Sequence, residues 1–595
     1  MRIPHQIEDN KTSQYPRNFL FFDTETEDKW ISDTEREHEL TMGMAIYWRW
    51  RSNRKDTTKE YQLNDESDLF DVMEKYARGK SRLFVIAHNI QYDMMVLGGF
   101  RRMDERGWDL NKLIINNTTN IWDFSKDGKK VVFLDNMNYF SVALASLGES
   151  VGLDKLDFPE NTDDEETWIE YCRRDVEIML EAWRKWLKFL KGNDMGTFAK
   201  TVASQAFNTY RHKYMQKNLY VHTNEEAVEL ERSGYHGGRT ECFHIGEVPG
   251  DTFYSLDVNS MYPHVMKQFK YPRRLKYVTG EKDPSFIARR IGDYMMTATV
   301  EIETDQRKYP KRIDGRLCFP VGNFTTTLAT EELRQALQED AIQHVKKVAI
   351  YHGDDLFSDY VDELYQMRME YEANDQHAFA FACKLLLNSL YGKFGQKNPV
   401  WEVIREDVDA PDEYMQEYNI DRQEWDIYRC INGTVEEKVG EEEGFHSMVA
   451  ITGHVTANAR LYLWQFVEEA GLDHVFYMDT DSIFVDEVGK QRLEEYIDPT
   501  ELGALDVEKS GSYLNIKGLK DYQFDDSITL KGVPDDADQV DENTFKTTQF
   551  EGVRSGLRRG DINRQIVKTV EKTLKRDYKK GIVSDGGTVK PIKLS

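Results

Sequence analysis

The sequence predicts a multidomain chain that combines α/β and α+β units. Three observations point there. At 595 residues the chain is too long for one core. Short apolar strands that end in carboxylates recur in the first third and again in the second half. Segments with a helical apolar period lie between them.

Composition narrows the class. Hydrophobic residues make up 40% and aromatics 12%, which describes a globular protein. The apolar runs are short and broken by charge, so no transmembrane helix is expected. Met1 to Arg17 lacks an apolar core, so no secretory signal is expected. The cysteines (Cys172, Cys242, Cys318, Cys383, Cys430) form no CxxC pair, which fits a reducing cytoplasm and argues against structural zinc. The net charge of -27 runs against a nucleic-acid partner, but it is unevenly spread. Residues 551–595 carry twelve Lys/Arg and five Asp/Glu, whereas 401–446 carry four and fifteen. A local basic face can bind phosphate while the rest of the surface repels it.

Asn18 to Thr26 is an apolar strand holding Asp23 and Glu25, which share a face. Leu83–Ala87 is a second buried strand, followed by His88, Asn89, Tyr92 and Asp93. Val131–Asp135 is a third. Leu144–Val151 reads as a short helix stopped at Gly152, with Lys155 beyond it. Thr167–Leu190 is an amphipathic helix carrying Tyr171 and Asp175 on one face. Each acid alone reads as a surface carboxylate. Four converging acids, Asp23, Glu25, Asp93 and Asp175, are what two magnesium ions need to activate water against a phosphodiester. Tyr171 is placed to orient that water.

In the second half, Tyr235-His236-Gly237-Gly238 is a loop in which paired glycines permit close approach. Phe253–Asp257 is a strand that turns at Ser260 into a helix, a place where backbone N–H groups suit phosphate. Leu356–Tyr371 and Gln376–Gly392 read as two helices. Lys384, Asn388 and Tyr391 share one face of the second: charge for a triphosphate, ring and amide for sugar and base. Arg368, on the first, is a further candidate for the triphosphate. Phe476–Val485 carries Asp479 and Asp481 two residues apart, which puts both on one face of a strand. Alone, this pair reads equally as a metal seat at a hairpin tip or as a solvated turn. Lys520 and Tyr522 follow. After Glu551 a basic segment reads as helical from Ile566 to Tyr578 and as a grip on duplex phosphates.

Together these motifs resemble a family B DNA polymerase with a DEDDy 3′–5′ exonuclease domain. Asp23/Glu25 match DxE, Asn89/Tyr92/Asp93 match Nx2YD, Tyr171/Asp175 match YxxxD, and Lys155 begins the Kx2h element. Tyr235, Gly237 and Gly238 match YxGG, which contacts template. Asp257 to Pro263 matches Dx2SLYP with Met261 for leucine. Lys384 to Gly392 matches Kx3NSxYG without departure, Asp479–Asp481 matches DTD, and Lys520/Tyr522 match KxY.

The resemblance implies an RNase H-like exonuclease domain followed by a right-hand polymerase with an antiparallel palm sheet. The expected domains are exonuclease 1–195, a linker with YxGG 196–250, palm 251–350, fingers 351–395, an acidic insertion 396–447, palm 448–535 and thumb 536–595. It implies that Asp257 and Asp481 hold metal in the polymerase site, with Asp479 beside them, and that Asp23, Glu25, Asp93 and Asp175 hold it in the exonuclease. Two Mg2+ ions per site are expected, with Mn2+ as a substitute. Lys155 would contact the scissile phosphate. Ser260, Tyr262, Lys384, Asn388, Tyr391 and Arg368 would bind the nucleotide, Tyr262 excluding a 2′-hydroxyl. Tyr235, Gly237, Gly238, Lys520, Tyr522, Asn89 and Tyr92 would bind DNA.

The implied partners are template-primer DNA, deoxynucleoside triphosphates and a terminal protein, for a monomer away from membranes, in the host cytoplasm if viral. Two features favour the viral, plasmid and organellar branch that primes from a protein. Asp23 lies too early for the long N-terminal domain of cellular members. The insertion sits where that branch carries a strand-separating subdomain. Priming from nucleic acid is the alternative. A lone nuclease would not need the second-half motifs, a non-catalytic binder would lack metal acids, and a reverse transcriptase would lack the exonuclease acids.

Overall fold

The computed structural model describes residues 2–51, 55–79, 81–116, 119–160, 164–406 and 410–595. Three large sheets organise it. The strands Asn18–Trp30, Glu35–Arg49, Leu83–Ala87 and Lys129–Asp135 are central in a ten-stranded mixed sheet. Asn18–Trp30 runs parallel to Leu83–Ala87, which runs parallel to Lys129–Asp135. Parallel neighbours need covering on both faces, and their inner strands read as near-continuous apolar runs. Phe19 to Phe22 and Leu83 to Ala87 are accordingly buried. The long helix Glu165–Gly192 covers one face, placing Val176, Met179, Trp183 and Trp186 against the sheet core.

A second sheet of five strands is antiparallel and holds Phe253–Val258 at its heart, between Ser482–Asp486 and Leu505–Gly511. A separate seven-stranded sheet contains Tyr271–Thr279, Met295–Thr304, Val321–Ala329 and Ile342–Asp354. The expectation of one palm unit over 251–350 is therefore corrected: only its first strand joins the sheet that carries Asp257 and Asp479.

The two helices after it run Ser358–Ala373 and His377–Phe394, antiparallel across a turn at Asn374-Asp375. The acidic stretch folds as a four-stranded sheet, Lys397–Glu406 to Thr434–Glu443. Charged strands on a solvated sheet need only a short apolar anchor, and Cys430, Ile431 and Val435 supply it.

The C-terminal reading needs two corrections. The segment read as a helix over 566–578 is a strand, Gln565–Thr573, because Ile566, Val567, Thr569 and Val570 are β-branched and suit a pleated surface. It pairs with Glu35–Arg49 and so extends the first sheet; Lys593–Leu594 joins the seven-stranded sheet. Residues 536–595 thus do not stand apart as one thumb unit. Nor are their cations all open to phosphate. Arg559 pairs with Glu551 at 2.9 Å, Lys568 with Glu35 and Glu551 at 3.0 Å, and Arg564 with Glu37.

Candidate active sites

The first site gathers the four early acids. Asp23 and Glu25 stay on one face of their strand, since the bulge that breaks register falls after Glu25. Asp93 comes from the helix Ile90–Val96, whose Asn89 cap takes a left-handed φ of 67°. Asp175 comes from the long helix. Thr24 Oγ1 donates to Asp93 Oδ1 at 2.8 Å. Burial, then the neighbouring Asp93, Asp175 and Glu25, hold Asp23 well above the ordinary carboxylate range. Burial, then Asp175, push Glu25 up to about 7, against the pull of Lys155. Burial pushes Asp93 to about 7, and burial raises Asp175 too. Carboxyls so buried and so close are the environment a divalent cation relieves.

Three further observations test the fit to metal. Asp175 Oδ1 is buried without a hydrogen-bond partner. Lys155 Nζ contacts Asp175 Oδ2 and lies 4.3 Å from the Tyr171 ring centre, so a cation already occupies the rim. Cys172 lies near Asp23 and Glu25, but burial holds its thiol well above the ordinary range, and the thiol donates to Asp23 Oδ2 at 3.7 Å. A protonated thiol is a poor ligand, which leaves a hard oxygen set suited to Mg2+ or Mn2+. Tyr92 OH meets Thr26 Oγ1 at 2.8 Å and His38 Nδ1 at 2.7 Å. Asn89 is exposed beside it.

The second site lies on the antiparallel sheet. Asp257 stands opposite Ser482 on one side and Asp506 on the other. The next residue, Val258, donates its N–H to the Asp481 carbonyl at 2.9 Å. Burial, then Asp481, raise Asp257 to about 7, with Glu508 and Asp506 adding to it and Lys384 opposing. Burial raises Asp481 as well.

The expectation that Asp479 and Asp481 share a strand face is corrected. Asp479 ends one strand, Ser482 begins the next, and Thr480 turns between them with φ 63°. The two carboxylates therefore differ in surroundings. Asp479 accepts from Thr240 at 3.2 Å, from Thr480 at 3.0 Å and from Tyr477 at 3.3 Å, and pairs with Lys520 at 3.1 Å. Asp481 remains beside Asp257. Tyr522 packs near Tyr477 and Phe484.

Above the acids, Tyr262 and Tyr391 stack with ring centres 4.7 Å apart and 7° between planes. Lys384 and Asn388 are exposed on the same helix face as Tyr391. Ser260 caps the motif helix with φ 51°, and Arg368 donates to its Oγ at 3.3 Å. Burial raises the Tyr262 and Tyr391 hydroxyls, and the nearby Tyr235 adds to it. Gly237 has φ 82°, and a Cβ on Gly238 would meet Tyr262 OH at 3.0 Å and Thr480 Cγ2 at 3.2 Å.

Sequence reading missed the supports beneath this site. Arg460 donates to the Gly237 carbonyl at 2.6 Å and to Glu332 at 2.7 Å, both charges almost fully buried. Arg239, whose carbonyl accepts the Thr480 N–H at 2.7 Å, is buried between Phe319 and Trp464 and paired with Glu241. Isolated arginines carry no motif; only Arg239's place directly after the paired glycines was a signal.

With this geometry in view, residues 149–440 match a family model described as DNA polymerase type B, organellar and viral. A DNA-directed DNA polymerase of Enterobacteria phage PRD1 is 25% identical over 431 residues, covering 67% of this chain and 72% of that protein. The fold is similar to that of Phi29 DNA polymerase complexed with primer-template DNA and incoming nucleotide substrates, with a TM-score of 0.64 at 17% identity over 95% of this chain and 100% of that one. Over residues 149–440 the chain is similar to the organellar and viral type B DNA polymerases.

A probable DNA polymerase of Neurospora intermedia is 26% identical over 404 residues, covering 61% of this chain and 40% of that protein. The chain spans less than half the length of such fungal relatives. Its architecture is the multidomain α/β and α+β one expected, and no helix among the described residues is long and apolar enough to cross a membrane.

Proposed function

We propose that this chain is a type B DNA polymerase that copies DNA at the Asp257–Asp481 site and trims DNA 3′ ends at the Asp23–Glu25–Asp93–Asp175 site. The observation that carries the reading is the Val258 N–H to Asp481 carbonyl bond. It holds two acids from distant parts of the chain side by side, beneath the Tyr262–Tyr391 stack and within reach of the Lys384 charge.

In synthesis, Asp257 and Asp481 would hold two divalent ions, Mg2+ or in its place Mn2+. Such ions, when bound, lower the pKa of an attacking hydroxyl and neutralise phosphate charge. Lys384 and Arg368 draw the triphosphate to the turn at Ser260. Tyr262 and Tyr391 wall the sugar, and Tyr262 leaves no room for a 2′-hydroxyl. Asn388 reads across the nascent pair, and Tyr235 with Gly237 and Gly238 borders the template. Lys520 and Tyr522 steady the primer end, and Asp479 steadies Lys520. The primer 3′-oxygen bonds in line to the α-phosphorus as pyrophosphate leaves. Orientation and preorganised charge supply most of the rate.

In trimming, the four early acids would hold the same class of ion. Lys155 moves from Asp175 to the scissile phosphate, and Tyr171 orients the attacking water. Asn89 and Tyr92 hold the strand end. The first nucleotide is joined to a hydroxyl side chain of a terminal protein; the family match supports this reading.

Primer extension on a defined template with Mg2+ tests the polymerase reading: stepwise extension supports it, and none in a folded protein rejects it. For priming, a labelled deoxynucleotide that stays on protein through denaturation, in an extract of the native source, supports the terminal-protein route. Labelling only of nucleic acid rejects it.

A further inference from the structure

Between the strands Gln565–Thr573 and Gly581–Val583 the chain runs outside any sheet. Its side chains alternate there, as an extended backbone requires. Asp577 and Lys579 are exposed and pair with each other at 2.8 Å. Arg576, Tyr578 and Lys580 are half-buried and each bonds to the body of the protein. Arg576 Nε donates to Asp521 Oδ2 at 3.0 Å, with both side chains largely buried. Arg576 also donates to the Glu542 carbonyl at 3.0 Å and to Asn543 Oδ1 at 2.7 Å. Tyr578 OH accepts the Cys242 N–H at 3.0 Å, and Lys580 Nζ donates to the Thr240 carbonyl at 2.8 Å.

Asp521 and Thr240 are the neighbours of the Asp479–Lys520 pair. Thr240 stands opposite Asp479 in register and donates to its Oδ1. Asp521 follows Lys520 directly and opens the strand Asp521–Phe524. Lys520 sits in the hairpin turn with φ 56°, and its N–H donates to Tyr477 OH at 2.9 Å. A lysine in the left-handed region is strained and stays there only while its surroundings hold it.

We propose that Arg576 and Lys580 are positioning residues for primer extension, which strap the turn and the strand that aim Lys520 and Asp479 at the primer end. This rests on the reading of Lys520 given above. Both strap residues spend their donors on the protein and act through the pair, not on DNA. Without Arg576, Asp521 keeps a buried charge and no partner, the turn relaxes, and Lys520 leaves the primer end.

The test measures extension by the full chain as primer-template concentration varies. Arg576→Met and Lys580→Met should each raise the KM for primer-template about tenfold with kcat little changed, and Arg576→Lys should recover part of the loss. Arg576→Met with Asp521→Asn removes the stranded charge, so it keeps the fold where the single change does not, and its KM should stay raised. The deciding comparison adds this pair of changes to Lys520→Ala. KM should rise no further than in Lys520→Ala alone, because the side chain through which the strap acts is already gone. Additive losses, or a parent KM in the Arg576→Met, Asp521→Asn protein, overturn the strap and leave the reading of Lys520 in place. A parent KM in Lys520→Ala overturns both.

Discussion

Tyr262 and Tyr391 stand ring on ring, 4.7 Å between centres, joining the motif helix after Asp257 to the helix that carries Lys384. Two tyrosines from separate helices make a flat, stiff wall where a sugar would lie. Tyr262→Val removes the ring but keeps a branched carbon. Ribonucleotide incorporation relative to deoxyribonucleotide should rise about tenfold or more. Single-nucleotide insertion kinetics with matched dNTP and rNTP measure it, and an unchanged ratio would remove Tyr262 from sugar selection.

A side chain on Gly238 would press against its neighbours. A methyl there would crowd Tyr262 OH and Thr480, and Thr480 belongs to the turn that separates Asp479 from Asp481. Gly238→Ala should lower primer extension by at least about tenfold, a small displacement at a preorganised site. Degradation of single-stranded 3′ ends should persist. Equal loss of both would point to general misfolding.

Arg460 and Glu332 form a buried pair, and Arg460 also holds the Gly237 carbonyl. Arg460→Met leaves Glu332 charged without its partner, at a cost of about 3–5 kcal/mol. A lowered denaturant midpoint checks this. Arg460→Met with Glu332→Gln should recover part of the loss, because the unpaired charge is gone.

The metal-free protein should lose stability as pH rises. Glu25, Asp93 and Asp257 sit at about 7 in the fold, against ordinary values of 4.5, 3.8 and 3.8. A raised carboxyl binds more protons folded than unfolded. Its stabilising effect is complete below the ordinary value and fades as pH climbs through about 7. Melting with chelator should therefore show a lower Tm at about pH 8 than at about pH 5, a fall that Asp257→Asn reduces. Mg2+ should raise Tm more at the higher pH. An Asp257→Asn protein with the parent's pH profile would contradict this.

Much of the site was legible because its chemistry sits at strand ends. Asp23, Asp135 and Asp257 each close an apolar run, and such runs announce themselves. Lys384, Asn388 and Tyr391 were legible because one helical face needs only spacing. The turn at Thr480 was not, since a positive φ at threonine has no composition signal, and so the different surroundings of Asp479 and Asp481 stayed hidden. Gln565–Thr573 misled because Ile566, Val567 and Val570 satisfy a helical spacing as well as a strand. Only their β-branching spoke for the sheet, and only the partner Glu35–Arg49 decided it. Asp506 was missed because the alternation Leu505-Asp506-Val507-Glu508 is that of any half-exposed strand.

Two independent acid centres in one chain form the central claim. Asp481→Ala and the double change Asp23→Ala with Glu25→Ala should be assayed side by side for primer extension and for degradation of a single-stranded 3′ end. The account predicts that Asp481→Ala abolishes extension and keeps degradation, and that the double variant does the opposite. Loss of both activities in a folded Asp481→Ala protein would contradict it.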